Sequence, residues 1–168
     1  GDINITGSNS IGVYSDGTDN TNIKADIIKL DGAKGAVFYT DGGKINISPN
    51  AGAETTVTVS GDSSYLFYDS SFKTGAVPNQ TFVIDGDFTA NVKDGAIAFD
   101  FKNNSGNLID YVKNNLLNIK SGTTTINIEG TAFHAKNSTI SIDEVSQIKT
   151  TGGLASGSVI LKGSDVFY

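Results

Sequence analysis

The residues best suited to chemistry in this chain are few. His134 is the only histidine, and there is no cysteine. A lone imidazole could serve a Ser-His-Asp relay, but no Gly-x-Ser-x-Gly elbow accompanies it. The pairs Asp85/Asp87 and Asp41/Asp69 contain the two carboxylates that a glycosidase needs as acid and base. Paired aspartates are also common in solvated turns, and both pairs read as turns. Asp16-Gly17-Thr18-Asp19-Asn20 supplies oxygen donors of the kind calcium takes, without the EF-hand spacing, and reads as a polar turn. Gly42-Gly43 and Gly152-Gly153 lack the following Gly-Lys-Ser/Thr of a phosphate loop. These residues define no catalytic set, no metal site and no cofactor site.

A more regular signal lies in the aromatics. Ile11-Gly12-Val13-Tyr14, Ala36-Val37-Phe38-Tyr39, Tyr65-Leu66-Phe67-Tyr68, Ala96-Ile97-Ala98-Phe99, Thr131-Ala132-Phe133-His134 and Asp165-Val166-Phe167-Tyr168 resemble one another and recur along the whole chain. Short alternating runs closing on glycine precede several of them: Ile3-Asn4-Ile5-Thr6-Gly7, Val57-Thr58-Val59-Ser60-Gly61, Ile126-Asn127-Ile128-Glu129-Gly130 and Val159-Ile160-Leu161-Lys162-Gly163. A third run follows some, as in Ile45-Asn46-Ile47-Ser48, Phe82-Val83-Ile84-Asp85 and Ile140-Ser141-Ile142-Asp143. Three short strands per repeat, punctuated by Gly, Asn and Asp, predict a right-handed parallel β-helix, a three-sided solenoid of about six coils. A β-sandwich of short hairpins is the competing all-β arrangement, but it would not return ordered triplets. Two stretches interrupt the period. Residues 70–81 read as a bulging loop. Residues 105–118, with Leu108, Ile109, Val112 and Leu116 at helical spacing, read as a short helix or an irregular strand.

Alternation places Ile3, Ile5, Ile45, Ile47, Ile126 and Ile128 on an inner face, with Asn4, Asn46 and Asn127 outside. In the aromatic segment, one column is Val13, Phe38, Phe67, Ala98, Phe133 and Phe167. Its neighbour is Tyr14, Tyr39, Tyr68, Phe99, His134 and Tyr168. The first column carries no polar atom and is expected inside. The second would need a partner for each buried hydroxyl, at about 1–3 kcal/mol for each one left unmade, and is expected at the surface. Tyr14, Tyr39, Tyr68 and His134 are therefore the candidate binding residues. Such a stripe either contacts a protein or sugar partner or stabilises the stack through ring packing.

Composition narrows the classes. The chain has 168 residues, 20 Gly, 2 Pro and no Cys, Met or Trp, and carries a net charge of -6. It reads as one segment spanning 1–168. Its basic residues are all lysine, and they are too few and too scattered for a nucleic acid partner. No apolar run approaches the roughly 20 residues of a membrane-spanning helix. Strand-like alternation begins at Asp2, so the chain reads as an excised part of a longer protein, with open strand edges that would favour end-to-end self-association.

Ile11-Gly12-Val13-Tyr14-Ser15-Asp16-Gly17 and Ala36-Val37-Phe38-Tyr39-Thr40-Asp41-Gly42, interleaved with Ile-Asn-Ile strands, resemble repeats in the passenger domains of large monomeric (type Va) autotransporters. The resemblance implies a right-handed β-helical stalk at the cell surface or outer membrane of a Gram-negative bacterium, or secreted from it. It also implies a non-enzymatic adhesive role toward host or bacterial surface proteins or glycans, and attachment to the membrane only through a separate C-terminal barrel. The missing cysteines agree, since passengers cross the outer membrane unfolded. A β-helical polysaccharide lyase or glycoside hydrolase is the alternative, and the absence of arginine weighs against it.

Overall fold

A computed structural model describes residues 1–17, 20–70, 82–101, 117–134, 159–162 and 165–167. The described residues are all-β, without a helix. The strands are β1 (Asp2–Ile5), β2 (Ile11–Asp16), β3 (Asn20–Lys24), β4 (Ile27–Leu30), β5 (Ala36–Asp41), β6 (Lys44–Ser48), β7 (Thr55–Val59) and β8 (Tyr65–Asp69). They continue as β9 (Phe82–Asp85), β10 (Phe88–Val92), β11 (Ile97–Phe101), β12 (Leu117–Ser121), β13 (Thr124–Ile128), β14 (Thr131–His134), β15 (Val159–Lys162) and β16 (Asp165–Phe167).

These strands form three sheets, entered in rotation from β1 to β14. The first runs β1-β4-β7-β10-β13-β15, the second β2-β5-β8-β11-β14-β16, and the third β3-β6-β9-β12. The strand pairings within the sheets are parallel, an arrangement consistent with a β-helical solenoid. In the first sheet Asp2 pairs with Ile27, Ile27 with Thr56, Thr56 with Thr89, Thr89 with Thr125 and Thr125 with Ile160. The chain thus returns to the same position after 25, 29, 33, 36 and 35 residues.

The sequence accounts for these rows. Strands β1, β4, β7, β10 and β13 of the first sheet and β3 and β6 of the third alternate, and parallel registration stacks like on like: Ile28 beside Val57 beside Ala90 beside Ile126, and Ile45 between Thr21 and Phe82. Ile28, Val57, Ala90 and Ile126 are fully buried. Outside, Asn127 Nδ2 donates to Asn91 Oδ1 at 3.1 Å, and Asn46 donates to Asn20 and Asn22. A repeated side chain therefore finds its own kind as partner in the next strand.

The middle of the core is aromatic. Phe38, Phe67 and Phe99 stack along the second sheet with ring centroids 5.4 Å apart in each step. Phe67 also meets Phe82 of the third sheet at 4.9 Å and Phe88 of the first at 6.2 Å. One ring thus ties all three sheets together. Burying each such side chain contributes about 1.5–3 kcal/mol.

The turns between first and second sheets repeat as well. Asn9, Lys34 and Ser63 take left-handed φ values of 57, 56 and 55°, and Gly95 holds the equivalent place at 83°. Each backbone N–H of the first three donates to the next turn: Asn9 to Ala33, Lys34 to Asp62, Ser63 to Gly95. The turns pack backbone against backbone. A Cβ on Gly61 would lie 2.2 Å from the Gly32 carbonyl oxygen, so only glycine fits.

Several sequence expectations change. Strands β3, β4 and β10 fall on runs that the alternation did not single out. Leu117 and Asn118, read as the end of a helix or irregular strand, begin β12. The rest of the 105–118 insertion, residues 71–81, Ile140–Asp143 and Tyr168 lie outside the described residues. The two aromatic columns are shifted by one at the fourth repeat: Phe67 pairs with Phe99, not Ala98, and Tyr68 pairs with Asp100, not Phe99. Strict alternation also fails inside β5, β8 and β11. Val37 and Phe38 are both buried, as are Leu66 and Phe67, and Ala98 and Phe99.

Candidate functional site

The second sheet's outer face carries the expected tyrosine row. Tyr14 pairs with Tyr39, Tyr39 with Tyr68, Tyr68 with Asp100 and Asp100 with His134. Phe38, Phe67 and Phe99 of the neighbouring column are buried to within 1% exposure, whereas Tyr14 is 47% exposed and Tyr39 and Tyr68 are half-buried. His134 falls on the row in β14, and its side chain lies outside what is described. Ring centroids are 5.2 Å apart between Tyr14 and Tyr39, and 4.7 Å between Tyr39 and Tyr68. Each ring is tilted against the next, by 44° and then 31°.

A fourth tyrosine joins them. Two consecutive inward residues, Leu66 and Phe67, bring Tyr65 and Tyr68 to the same side of β8. Their rings lie 5.1 Å apart. Tyr65 forms a hydrogen bond with the Asp100 carboxylate, which is itself only 7% exposed. Burial and then the Asp100 charge push the Tyr68 phenol up to about 12. Burial raises the Tyr65 phenol too, followed by Asp100. At the other end Tyr14 is hydrogen-bonded to Asp16, and its phenol is raised by desolvation, then by Asp16 and Asp41. A neutral phenol with a carboxylate against it therefore closes each end of the group.

Tyr65 and Asp100 were not singled out in the sequence. The signal for Tyr65 was the aromatic at both ends of Tyr65-Leu66-Phe67-Tyr68. Asp100 had none, because between Phe99 and Phe101 nothing in the sequence tells a buried aspartate from an exposed one.

The carboxylate pairs are placed otherwise. Asp41 is exposed at the end of β5, while Asp69 is 2% exposed and pairs in register with Thr40. The two therefore belong to opposite faces. Asp85 accepts hydrogen bonds from Ser121 Oγ at 2.6 Å and Lys120 Nζ at 2.9 Å, and these partners hold its carboxyl below the usual carboxylate range. Asp87 accepts from the Thr123 backbone N–H at 2.9 Å. Both brace the next strand of the third sheet or the turn after it. Thr18 and Asp19 of the 16–20 cluster lie outside the described residues. No group of three or more acidic or histidine side chains that could hold a metal occurs among the described residues.

No family model, curated protein or solved structure matches this chain.

Proposed function

We propose that this chain is part of a right-handed, three-sided parallel β-helix and serves as a rigid, non-enzymatic stalk segment of a bacterial surface adhesin. The tyrosine row of its second sheet is the surface through which it contacts a cell-surface protein or glycan. One observation carries the reading: strands β1 to β14 enter three parallel sheets in rotation, with like residues in register. That design makes length and stiffness from a short repeat, since each unit buries its apolar face only against its neighbours. Tyrosines give such a surface rigid, amphipathic contact area at low entropic cost.

The test is binding of the labelled chain to intact host and bacterial cells, beside a Tyr39→Ser/Tyr68→Ser variant checked for folding by circular dichroism. The variant is expected to lose about tenfold in apparent affinity, equivalent to about 1.4 kcal/mol. Unchanged binding by a folded variant would remove the tyrosine row from the contact. Reducing ends or unsaturated products released from a panel of polysaccharides would overturn the non-enzymatic reading.

A further inference from the structure

The composition leaves one readily oxidised side-chain type. Cysteine, methionine and tryptophan, the usual sinks for oxidants, are all absent, and 6 tyrosines remain. Four of these form one continuous group, Tyr14–Tyr39–Tyr68–Tyr65, with successive centroids at 5.2, 4.7 and 5.1 Å. Tyr14, at one end, is 47% exposed and open to an oxidant. The two end phenols are hydrogen-bonded to carboxylates, Tyr14 to Asp16 and Tyr65 to Asp100. A phenol gives up an electron easily only if its proton can leave at the same time, and a hydrogen-bonded carboxylate takes that proton. Rings in van der Waals contact then let the electron vacancy move inward from Tyr14.

We propose that these four tyrosines form an oxidative cross-linking site, where a peroxide-driven one-electron oxidant couples neighbouring phenols into dityrosine and ties successive strands of the second sheet together covalently. Two phenols each lose one electron and the hydroxyl proton, giving two phenoxyl radicals. The radicals join through a new bond between ring carbons ortho to oxygen. The hydrogens on those two carbons move to the oxygens and restore both phenols. The two electrons and two protons reduce one hydrogen peroxide to two waters. Tyr39 and Tyr68, on adjacent strands and closest in space, are the pair the geometry favours. In a chain without cysteine this is a covalent brace its own side chains can form. The proposal rests on the geometry of the row and not on the adhesive reading.

The experiment treats the purified chain with peroxidase and limiting hydrogen peroxide, then follows dityrosine fluorescence, intact mass and tryptic peptides. The expected product has lost two hydrogens per link without doubling in mass. Its link joins the peptide of residues 35–44, holding Tyr39, to that of residues 45–73, holding Tyr68. Tyr39→Phe keeps the ring and the packing but should abolish that link. Asp100→Asn should slow link formation and change its pH profile, which a purely structural role for Asp100 would not do. Tyr111→Phe/Tyr168→Phe, which changes the two remaining tyrosines of the chain, should leave the link intact. Links found only between chains, or a yield unchanged in Tyr39→Phe, would overturn the proposal. So would no link at all under conditions that couple free tyrosine.

Discussion

Tyr68 shows how the aromatic row is tuned. Its phenol is pushed up to about 12, first by burial between its neighbours and second by the Asp100 charge. The folded state therefore holds this proton more tightly than the unfolded chain, whose tyrosines titrate near 10. The sign follows: the contribution to stability is complete below about pH 10 and is lost as pH rises toward 12. Tyr14 and Tyr65 shift the same way and add to the same alkaline loss. Chemical denaturation along a pH series should give a flat plateau up to about pH 10 and then a fall. In an ultraviolet phenolate titration, Asp100→Asn should bring the Tyr68 midpoint down while leaving it above the ordinary value, because burial remains. A midpoint unmoved in that variant would mean the carboxylate does not act on Tyr68. The sequence foretold the tyrosines and their outward face from the cost of burying repeated hydroxyls. It did not reveal the carboxylate completing the row, since a buried aspartate and a turn aspartate are the same letter.

At the scale of elements, the turns and strands differed in how openly they declared themselves. Strands with Ile-x-Ile or Val-x-Val alternation, such as β6, β7 and β13, could be read directly. By contrast β3, Asn20-Thr21-Asn22-Ile23-Lys24, is almost wholly polar, and it is a strand because β6 pairs along its full length. The aromatic register slipped by one at β11 because Phe99, the last aromatic of its segment, fills the inner place of Phe67 while Asp100 takes the place of the tyrosine. The left-handed turn was invisible for a similar reason. Its position is filled by Asn9, Lys34, Ser63 and Gly95, which share no side-chain property. A non-glycine residue there costs about 1–2 kcal/mol, offset partly by the greater freedom glycine has when unfolded. Lys34→Gly should therefore stabilise the chain by about 0.5–1 kcal/mol. Gly95→Ala should destabilise it by about 1–2 kcal/mol, since the new Cβ would take the left-handed conformation and would also lie 2.3 Å from the Asp62 carboxylate. Urea denaturation of both variants checks the pair. Equal and small effects would mean the turns are not held in that conformation in solution.

Across the whole molecule, the repeat that makes the core continuous also leaves it open. Among the described residues β1, β2 and β3 each have a strand on one side only, so their other edges present free backbone donors and acceptors. The same end carries the exposed large apolar side chains: Ile11 and Tyr14 at 47% and Ile27 at 38%. Ile3, Ile5 and Ile23 are only partly covered there, whereas their counterparts further along are sealed. An edge strand with apolar neighbours is a template for another chain. The opposing influence is the net charge of -6, which repels like copies and weakens as salt screens it. The expected behaviour is concentration-dependent self-association that strengthens with added salt, measured by sedimentation velocity. Ile11→Glu adds one more negative charge to the -6 of the chain and removes apolar area beside the open edge of β2. It should weaken association by about tenfold, the effect of losing about 1–2 kcal/mol. Association that weakened with salt would point to ion pairing instead of edge pairing. A chain that stayed monomeric at high salt and high concentration would show that the twist of β2 and the charge of Asp2 and Asp16 already protect this end.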